Sequence, residues 1–320
     1  MEAGVPPQFE IPPGVKQSDP LRKYNIIKRI NQCIIVVSPK TDPSGKLLFA
    51  MKRIGYCSDE DLQIILNGEV RAMQIISDDE NAREFCCTHR EFYIFDGAVY
   101  IIMDLAESDL TKLVAKSAFY RRSSNPGILV LSLAEIVDIM MTLVFALKSL
   151  SDLDLLHRDI KSDNVLVVRD QHGNKQFKLA DFGFTAPIGQ CDSPHGTPQW
   201  MAPELAKNLT NGMGMNTPQT DIWSLGCLLL ELLCGAPPFI NDDPYTVFKK
   251  TSLLTAPPVP DDVKLGIESE PDMPFAALMR SMLIGDETLK RGLLAINPDE
   301  RPTYDEIITR IQKYYRDSGK

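Results

Sequence analysis

The sequence predicts an α+β protein with two lobes, a small β-rich lobe followed by a larger and mainly helical one. Short runs rich in branched and aromatic residues, such as CIIVV at 33–37, alternate with turn signals up to about residue 104. Beyond that point, apart from one short apolar hairpin at 165–183, apolar stretches with helical character dominate. A chain of 320 residues is long enough for each lobe to have a core of its own.

The first lobe is predicted to contain five antiparallel strands and one main helix. The strand-like runs are YNIIKRI, CIIVV and LLFAMKRI, followed by EFYIFDG and AVYIIMDL around the turn Asp96-Gly97. The helix between the third and fourth runs begins with a capping box formed by Ser58 and Asp61. Glu69 falls within its apolar stripe, so we expect this carboxylate to have a cationic partner.

The domain organisation follows from the change of pattern near residue 24. Residues 1–23 are rich in proline and predict a flexible or polyproline-type extension, one that could dock on the domain. One folded domain is predicted over 24–316, with its first lobe at about 24–104 and its second at about 105–316. Residues 317–320 are predicted to be a tail.

Composition and charge exclude several classes of function. A net charge of −9 and a pI near 5.1 argue against non-specific binding to nucleic acid or to an anionic membrane, although Arg121-Arg122 form a local basic patch. The seven cysteines have no regular spacing, which predicts reduced thiols and a cytoplasmic or nuclear location. The N-terminus has no basic segment before an apolar run, and acidic residues interrupt the apolar stretches at 128–147 and 222–234. We therefore expect no signal peptide and no membrane span.

An ordered series of motifs carries the chemistry. It comprises AMK at 50–52, Glu69, HRDIKSDN at 157–164, DFG at 181–183, GTPQWMAPE at 196–204, TDIWSLG at 220–226 and Arg301. This order resembles the eukaryotic-type serine/threonine protein kinases, most closely the Ste20-like or the tyrosine-kinase-like group. The resemblance extends from Ala50 to Arg301, and it implies the bilobal protein kinase fold.

The resemblance implies a role in phosphoryl transfer from ATP for each polar residue of these motifs. Lys52, paired with Glu69, would hold the α- and β-phosphates. Asp181 and Asn164 would bind Mg²⁺, or Mn²⁺ in its place, through oxygen atoms. Asp159 would accept the proton of the substrate hydroxyl.

Two further residues favour serine or threonine over tyrosine as the substrate. Lys161 resembles the lysine that steadies the transferred phosphate in serine/threonine kinases, and Thr197 resembles the threonine that contacts the catalytic aspartate and lysine. By the same resemblance, Met103 is the gatekeeper, the backbone of Asp104-Leu105-Ala106 binds adenine, and Ala50 and Leu166 enclose the base. Glu204 with Arg301, and Asp221, resemble architectural residues of the family.

Regulation and partners are predicted from the segment between DFG and GTPQWMAPE. Ser193 lies four residues before Thr197, at the spacing of many kinase phosphorylation sites, and a phosphate there would pair with Arg158. We expect protein substrates and an upstream kinase or activator. The segment RRSSNPG at 121–127 predicts an exposed insertion, and the sequence leaves the oligomeric state open.

The segment where the resemblance predicts a glycine-rich phosphate loop has no glycine between Gly14 and Gly45. An ungapped alignment puts Asn31, Cys33 and Val36 at the glycine positions. The alternative is a short turn at Asn31-Gln32 followed by strand CIIVV and a longer turn at 40–46, and it keeps Ser38-Pro39 out of the strand interior. We favour the second alignment. Three functions then stay open: an active kinase with weakened nucleotide binding, a pseudokinase acting as a scaffold or allosteric partner, and a small-molecule phosphotransferase, which fits the GTPQWMAPE segment poorly.

Overall fold

The computed structural model describes residues 11–115, 131–170, 172–189, 195–208, 215–261, 263, 272–285 and 292–319. Two compact units are present. Of the described residues, the first contains those up to Ala106 together with Asp181–Gly183, and the second contains those of Glu107–Ala180 and those from Phe184 onward. The first is built on a β-sheet and the second is mainly helical, as the sequence predicted.

The sheet of the first unit has six strands. They are β1 (Val15–Lys16), β2 (Tyr24–Arg29), β3 (Ile34–Pro39), β4 (Phe49–Gly55), β5 (His89–Phe95) and β6 (Ala98–Asp104). Their order across the sheet is β1-β5-β6-β4-β3-β2. The five predicted strands correspond to β2–β6, all in antiparallel pairs. The additional strand β1 comes from the proline-rich extension and runs parallel to β5.

Alternation along the strands separates the core of this sheet from its functional face. Ile35 and Val37 on β3 pair with Met51 and Phe49 on β4, and all four are buried in one apolar cluster. Because successive side chains of a strand point to opposite faces, Ala50 and Lys52 lie on the other face. The core therefore fixes the strand from which Lys52 projects.

One helical stretch crosses the first unit from Asp59 to Asp78. It consists of α1 (Asp59–Ile65), a π-helical turn (Leu66–Val70) and α2 (Arg71–Asp78), and α3 (Glu80–Phe85) follows. The predicted capping box of Ser58 and Asp61 is present at its start. Leu66 and Val70 are fully buried, and Glu69 between them is 6 % exposed. The π-helical turn therefore carries the acidic residue that the sequence singled out, and such turns are frequent at functional sites.

The second unit contains six α-helices of which both ends lie within the described residues. They are α4 (Leu133–Asp152), α5 (Pro203–Asn208), α6 (Pro218–Cys234), α7 (Pro244–Ser252), α8 (Met273–Leu283) and α9 (Tyr304–Ser318). The short strands β7 (Ser108–Asp109), β9 (Val165–Arg169) and β10 (Lys175–Leu179) form one sheet, and β8 (Leu155–Leu156) pairs with β11 (Ala186–Pro187). No helix in the described part of the chain is long and apolar enough to cross a membrane.

A buried ion pair ties the later helices of the second unit together. The Arg301 guanidinium donates to both carboxylate oxygens of Glu204, at 2.6 and 2.7 Å, and lies over the ring of Trp223. Arg301 also donates to the backbone carbonyls of Ala295 and Gln219. Because its donors are met in this way, the buried guanidinium avoids the cost of an unpaired charge. The segment predicted as an exposed insertion, 121–127, lies outside the described residues.

Candidate active site

Lys52 of β4 lies between two carboxylates in the first unit. Its Nζ is 2.6 Å from Glu69 Oε1 and 2.8 Å from Asp181 Oδ1. Burial opposes the charged form of Lys52, but the two carboxylates outweigh it and raise the pKa of the ammonium group. Lys52 is therefore a fixed positive charge at the face of the sheet opposite the apolar core.

The DFG segment reaches this lysine through an unusual backbone conformation. Asp181 has a φ of 64°, in the left-handed region that non-glycine residues rarely adopt. A Cβ atom at Gly183 would lie 3.4 Å from Asp181 Oδ1 and 3.5 Å from Glu69 Oε2. Glycine at this position therefore leaves the space between the two carboxylates open.

A second polar cluster, in the second unit, surrounds Asp159. The Thr197 hydroxyl donates to Asp159 Oδ1 at 2.6 Å, and Lys161 Nζ lies 2.8 Å from both Asp159 Oδ2 and Thr197 Oγ1. The side-chain amide of Asn164 donates to Asp159 Oδ2 at 3.0 Å and to the Asp159 carbonyl at 2.8 Å. Asp159 itself is 5 % exposed. These contacts fix the orientation of a carboxylate that is suited to accept a proton.

The backbone that carries Asp159 is held by the first turn of α6. Asp221 accepts hydrogen bonds from the backbone N–H groups of His157 and Arg158, both at 2.9 Å. Arg158 has a φ of 69°, so these bonds hold a strained residue immediately before Asp159. Burial raises the pKa of the Asp221 carboxyl, which is 2 % exposed. The contacts are those expected of the anchoring residue that Asp221 resembles.

Gly196 meets the same strained loop. Its φ of 127° is a conformation that glycine adopts readily and residues with a Cβ atom adopt rarely. A Cβ atom there would also lie 2.8 Å from the Arg158 carbonyl oxygen. Glycine before Thr197 is therefore required for close approach of the two segments that together hold Asp159.

The sequence analysis missed a polar chain beneath this cluster. Thr111 donates to the Ser162 hydroxyl at 3.0 Å, and Ser162 donates to Glu231 Oε1 at 2.5 Å. Burial raises the pKa of Glu231 to about 7, and the neighbouring charge of Asp163 adds to the effect. The sequence carried one signal of this role, an acidic residue within the apolar stretch that forms α6.

The residues predicted to surround adenine are divided between the two units. In the first unit, Ala50 pairs with Met103 across β4 and β6. Asp104 ends β6, and its exposed carboxylate lies 2.6 Å from Arg90 Nε. Ala106 is the residue at which the chain leaves the first unit. In the second unit, Leu166 lies on β9 opposite Lys178. Their roles in nucleotide binding stay predictions, and Ser193 lies outside the described residues.

The turn between β2 and β3 needs no glycine. The Asn31 side chain accepts hydrogen bonds from the backbone N–H groups of Cys33 and Ile34, both at 2.8 Å. No residue of 30–33 has a positive φ, so L-residues fit throughout. This is the short turn of the favoured alignment. The strand β3 nevertheless extends two residues beyond Val37, and Pro39 occupies its last position, opposite Tyr24 at the start of β2.

Comparison with known proteins identifies the family. The sequence model described as "Protein kinase domain" matches residues 36–311. The chain belongs to the protein kinase domain family.

Curated relatives of this kinase domain support the same assignment. Serine/threonine-protein kinase CST20 of Candida albicans (strain SC5314 / ATCC MYA-2876) is 33% identical over 181 residues, which cover 55% of this chain and 13% of that protein. Serine/threonine-protein kinase PAK 1 of Mus musculus is 30% identical over 236 residues, which cover 72% of this chain and 38% of that protein. The present chain therefore spans less than two fifths of the length of either relative. These relatives confirm the resemblance to serine/threonine kinases.

Protein kinases generally use ATP with Mg²⁺, and the residues of this kinase domain fit the metal. Asn164 uses its Nδ2 to bind Asp159, and no described residue donates a hydrogen bond to its Oδ1. The amide oxygen is thus a suitable ligand for a hard cation, as is the half-exposed carboxylate of Asp181. The described residues contain no cluster of three His, Cys, Asp or Glu side chains that would hold a metal alone.

Proposed function

We propose that this chain is an ATP- and Mg²⁺-dependent serine/threonine protein kinase that transfers the γ-phosphate of ATP to protein hydroxyl groups. The observation that carries the proposal is the contact of the Thr197 hydroxyl with both Asp159 and Lys161. These three side chains form the arrangement that the resemblance predicts for serine/threonine substrates. The segment GTPQWMAPE, which contains Thr197, also favours a protein substrate over a small molecule.

In this proposal each side chain has one task. Asp159 accepts the proton of the substrate hydroxyl as that oxygen attacks the γ-phosphorus, and Lys161 offsets negative charge on the transferred group. Lys52, fixed by Glu69, binds the α- and β-phosphates. Asp181 and Asn164 would hold Mg²⁺, which when bound neutralises charge on the phosphates.

The glycine-free turn limits what the phosphate loop contributes. The N–H groups of Cys33 and Ile34 already donate to Asn31, so they are less available to phosphate oxygens. Removing one preorganised donor to a developing anion typically costs ~10²–10³ in rate. We therefore propose an active enzyme with weakened nucleotide binding, in preference to a pseudokinase.

The domain limits, partners and location of the protein are part of the same proposal. The kinase domain occupies 24–316, with its lobes divided near residue 104, between an extension at 1–23 and a tail at 317–320. Its partners are protein substrates and an upstream kinase that phosphorylates Ser193, with the phosphate pairing to Arg158. Full activity of Ser193→Ala, with no phosphate on that residue in active wild type, would refute the phosphorylation step. The cytoplasmic or nuclear location remains a prediction.

The decisive experiment measures transfer of labelled γ-phosphate to a generic protein substrate with Mg²⁺ or Mn²⁺. We expect incorporation by wild type, near-complete loss in Asp159→Asn and Asp181→Asn, and no change in the control Asp152→Asn. Asp152 is an exposed residue at the end of α4. Equal signals in wild type and all three variants would overturn the proposal. A rise in melting temperature with millimolar Mg²⁺-ATP tests nucleotide binding separately, because a ligand that binds the native state stabilises it.

A further inference from the structure

The proline-rich extension is integrated into the first unit. Its residues Val15 and Lys16 form β1 and pair in parallel register with Phe92 and Tyr93 of β5. Every other strand pair in the described sheet is antiparallel. The extension therefore lies along a sheet edge that the predicted five strands would have left open.

Glu91 of β5 anchors both ends of this segment. Its Oε1 accepts from Lys16 Nζ and, at 2.6 Å, from Lys23 Nζ. Its Oε2 accepts from the hydroxyl groups of Tyr24 and Tyr93, at 2.7 and 2.8 Å. Although burial opposes ionisation, these four donors lower the pKa of Glu91 to about 2. One carboxylate thus binds the chain before and after the 3₁₀ turn at Pro20–Arg22.

The same segment contacts the helix that carries Glu69. The side-chain amide of Gln74 on α2 donates to the Pro13 carbonyl at 2.8 Å. Gln74 lies five residues after Glu69 on one continuous helical stretch, a rise of about 7.5 Å. The extension therefore connects the sheet edge at Glu91 to the helix about one turn beyond the Lys52–Glu69 ion pair.

The helix that carries Glu69 contains an irregular turn, and this is why a restraint on its position matters. The turn that holds Glu69, Leu66–Val70, is π-helical, a rare form that interrupts the regular hydrogen bonding of the α-helix as a single-turn bulge. A displacement of the helix by 1–2 Å, which is typical of helix shifts in switching proteins, would break a contact of 2.6 Å between Lys52 Nζ and Glu69 Oε1.

We propose that residues 12–16 are a built-in strap that holds the Glu69-bearing helix in the position that pairs with Lys52, with Lys16, Gln74 and Glu91 as its positioning residues. The strap rests on the proposed kinase function, because the position of the Lys52–Glu69 pair matters for activity only if Lys52 binds the phosphates of ATP. It adds a role for a segment that lies before the family match at 36–311. Neither Gln74 nor Glu91 belongs to a motif of the catalytic machinery.

Hydrogen exchange of the full chain tests the strap without any assay of activity. We expect amides of 66–78 to exchange at least threefold faster in Gln74→Met and in Lys16→Met than in wild type. Arg71→Met is the matched control, since Arg71 is an exposed residue of the same helix. Unchanged exchange in Gln74→Met relative to Arg71→Met would overturn the strap.

A double-mutant cycle then separates positioning from general stability. We expect Gln74→Met to lower kcat/KM for ATP three- to tenfold in the wild-type background and less than twofold in the Glu69→Gln background, where the pair no longer exists. Its effect on melting temperature should be the same in both backgrounds. An equal kinetic loss in both backgrounds would refute positioning through Glu69. Wild type without phosphate transfer would refute the proposed function alone, because hydrogen exchange decides the strap independently.

Discussion

Replacement of Glu231 by glutamine should stabilise the protein at alkaline pH. Glu231 is 4 % exposed on α6, and it accepts a hydrogen bond from Ser162 at 2.5 Å. Burial raises its pKa to about 7, from the ordinary value of 4.5. Glutamine has nearly the same shape and keeps an acceptor oxygen for Ser162, but it never carries a charge.

The sign and size of the effect follow from proton linkage. Between pH 4.5 and about 7 the folded protein binds the Glu231 proton more tightly than the unfolded chain does. The stability that this proton contributes is fully present below pH 4.5 and is lost as pH rises through 7. At about 1.4 kcal/mol for each pKa unit, the loss reaches roughly 3 kcal/mol. The glutamine variant does not undergo this loss.

The assay is urea or thermal unfolding of wild type and Glu231→Gln between pH 3 and 8.5. We expect nearly equal stability at pH 5, and a variant more stable by about 2–3 kcal/mol at pH 8.5. Glu135→Gln is the control, because its effect on stability should depend on pH in the opposite direction. Burial opposes ionisation of Glu135, but Lys175 and Ser132 lower its pKa. That variant should be less stable than wild type at neutral pH, with the difference shrinking as pH falls below 4.5. A Glu231→Gln effect that does not change with pH would refute the reasoning.

Three other substitutions test the geometry of the candidate site. Thr197→Ala removes the hydroxyl that contacts Asp159 and Lys161, so kcat should fall ~10²-fold with little change in KM for ATP, and a larger change in KM than in kcat would contradict this. Gly196→Ala places a Cβ atom 2.8 Å from the Arg158 carbonyl oxygen, at a residue with a positive φ, so we expect the free energy of unfolding in urea to fall by about 2–4 kcal/mol. A variant as stable as wild type would show that the loop adapts freely. Asn31→Ala removes two hydrogen bonds from the β2–β3 turn and should cost about 1–2 kcal/mol; an unchanged melting temperature would show that the Asn31 side chain does not hold the turn.

The sequence predicted the elements whose signals are local. The capping residues Ser58 and Asp61 fixed the start of α1, and alternating apolar residues marked β3 and β4. The strand β1 was missed because a two-residue strand has no periodicity of its own. It forms only because β5, more than 70 residues later in the chain, offers an unpaired edge.

The candidate site shows the same division between local and distant information. Asp159, Lys161 and Asn164 lie within one motif, so their proximity could be predicted from spacing alone. Glu231 and Glu91 could not be assigned partners, since Ser162 is 69 residues from Glu231 and Lys16 is 75 residues from Glu91. Glu231 is an acidic residue among apolar neighbours, which signals a buried partner without saying which one. Glu91, which follows His89 and Arg90, has no such signal.

In the proposed function, the glycine-free β2–β3 turn affects nucleotide binding, whereas the residues around Asp159 affect proton transfer. Glycine in a phosphate loop allows the backbone to approach an anion, whereas the turn here is held by the Asn31 side chain with no left-handed residue. Asp159, the proton acceptor in the proposed function, is held by Thr197, Lys161 and Asn164, all from the second unit. Changes in the turn should therefore act first on KM for ATP, and changes around Asp159 on kcat. If the proposed kinase is slow at low ATP concentration, saturating nucleotide should restore the part of its rate that weak nucleotide binding costs.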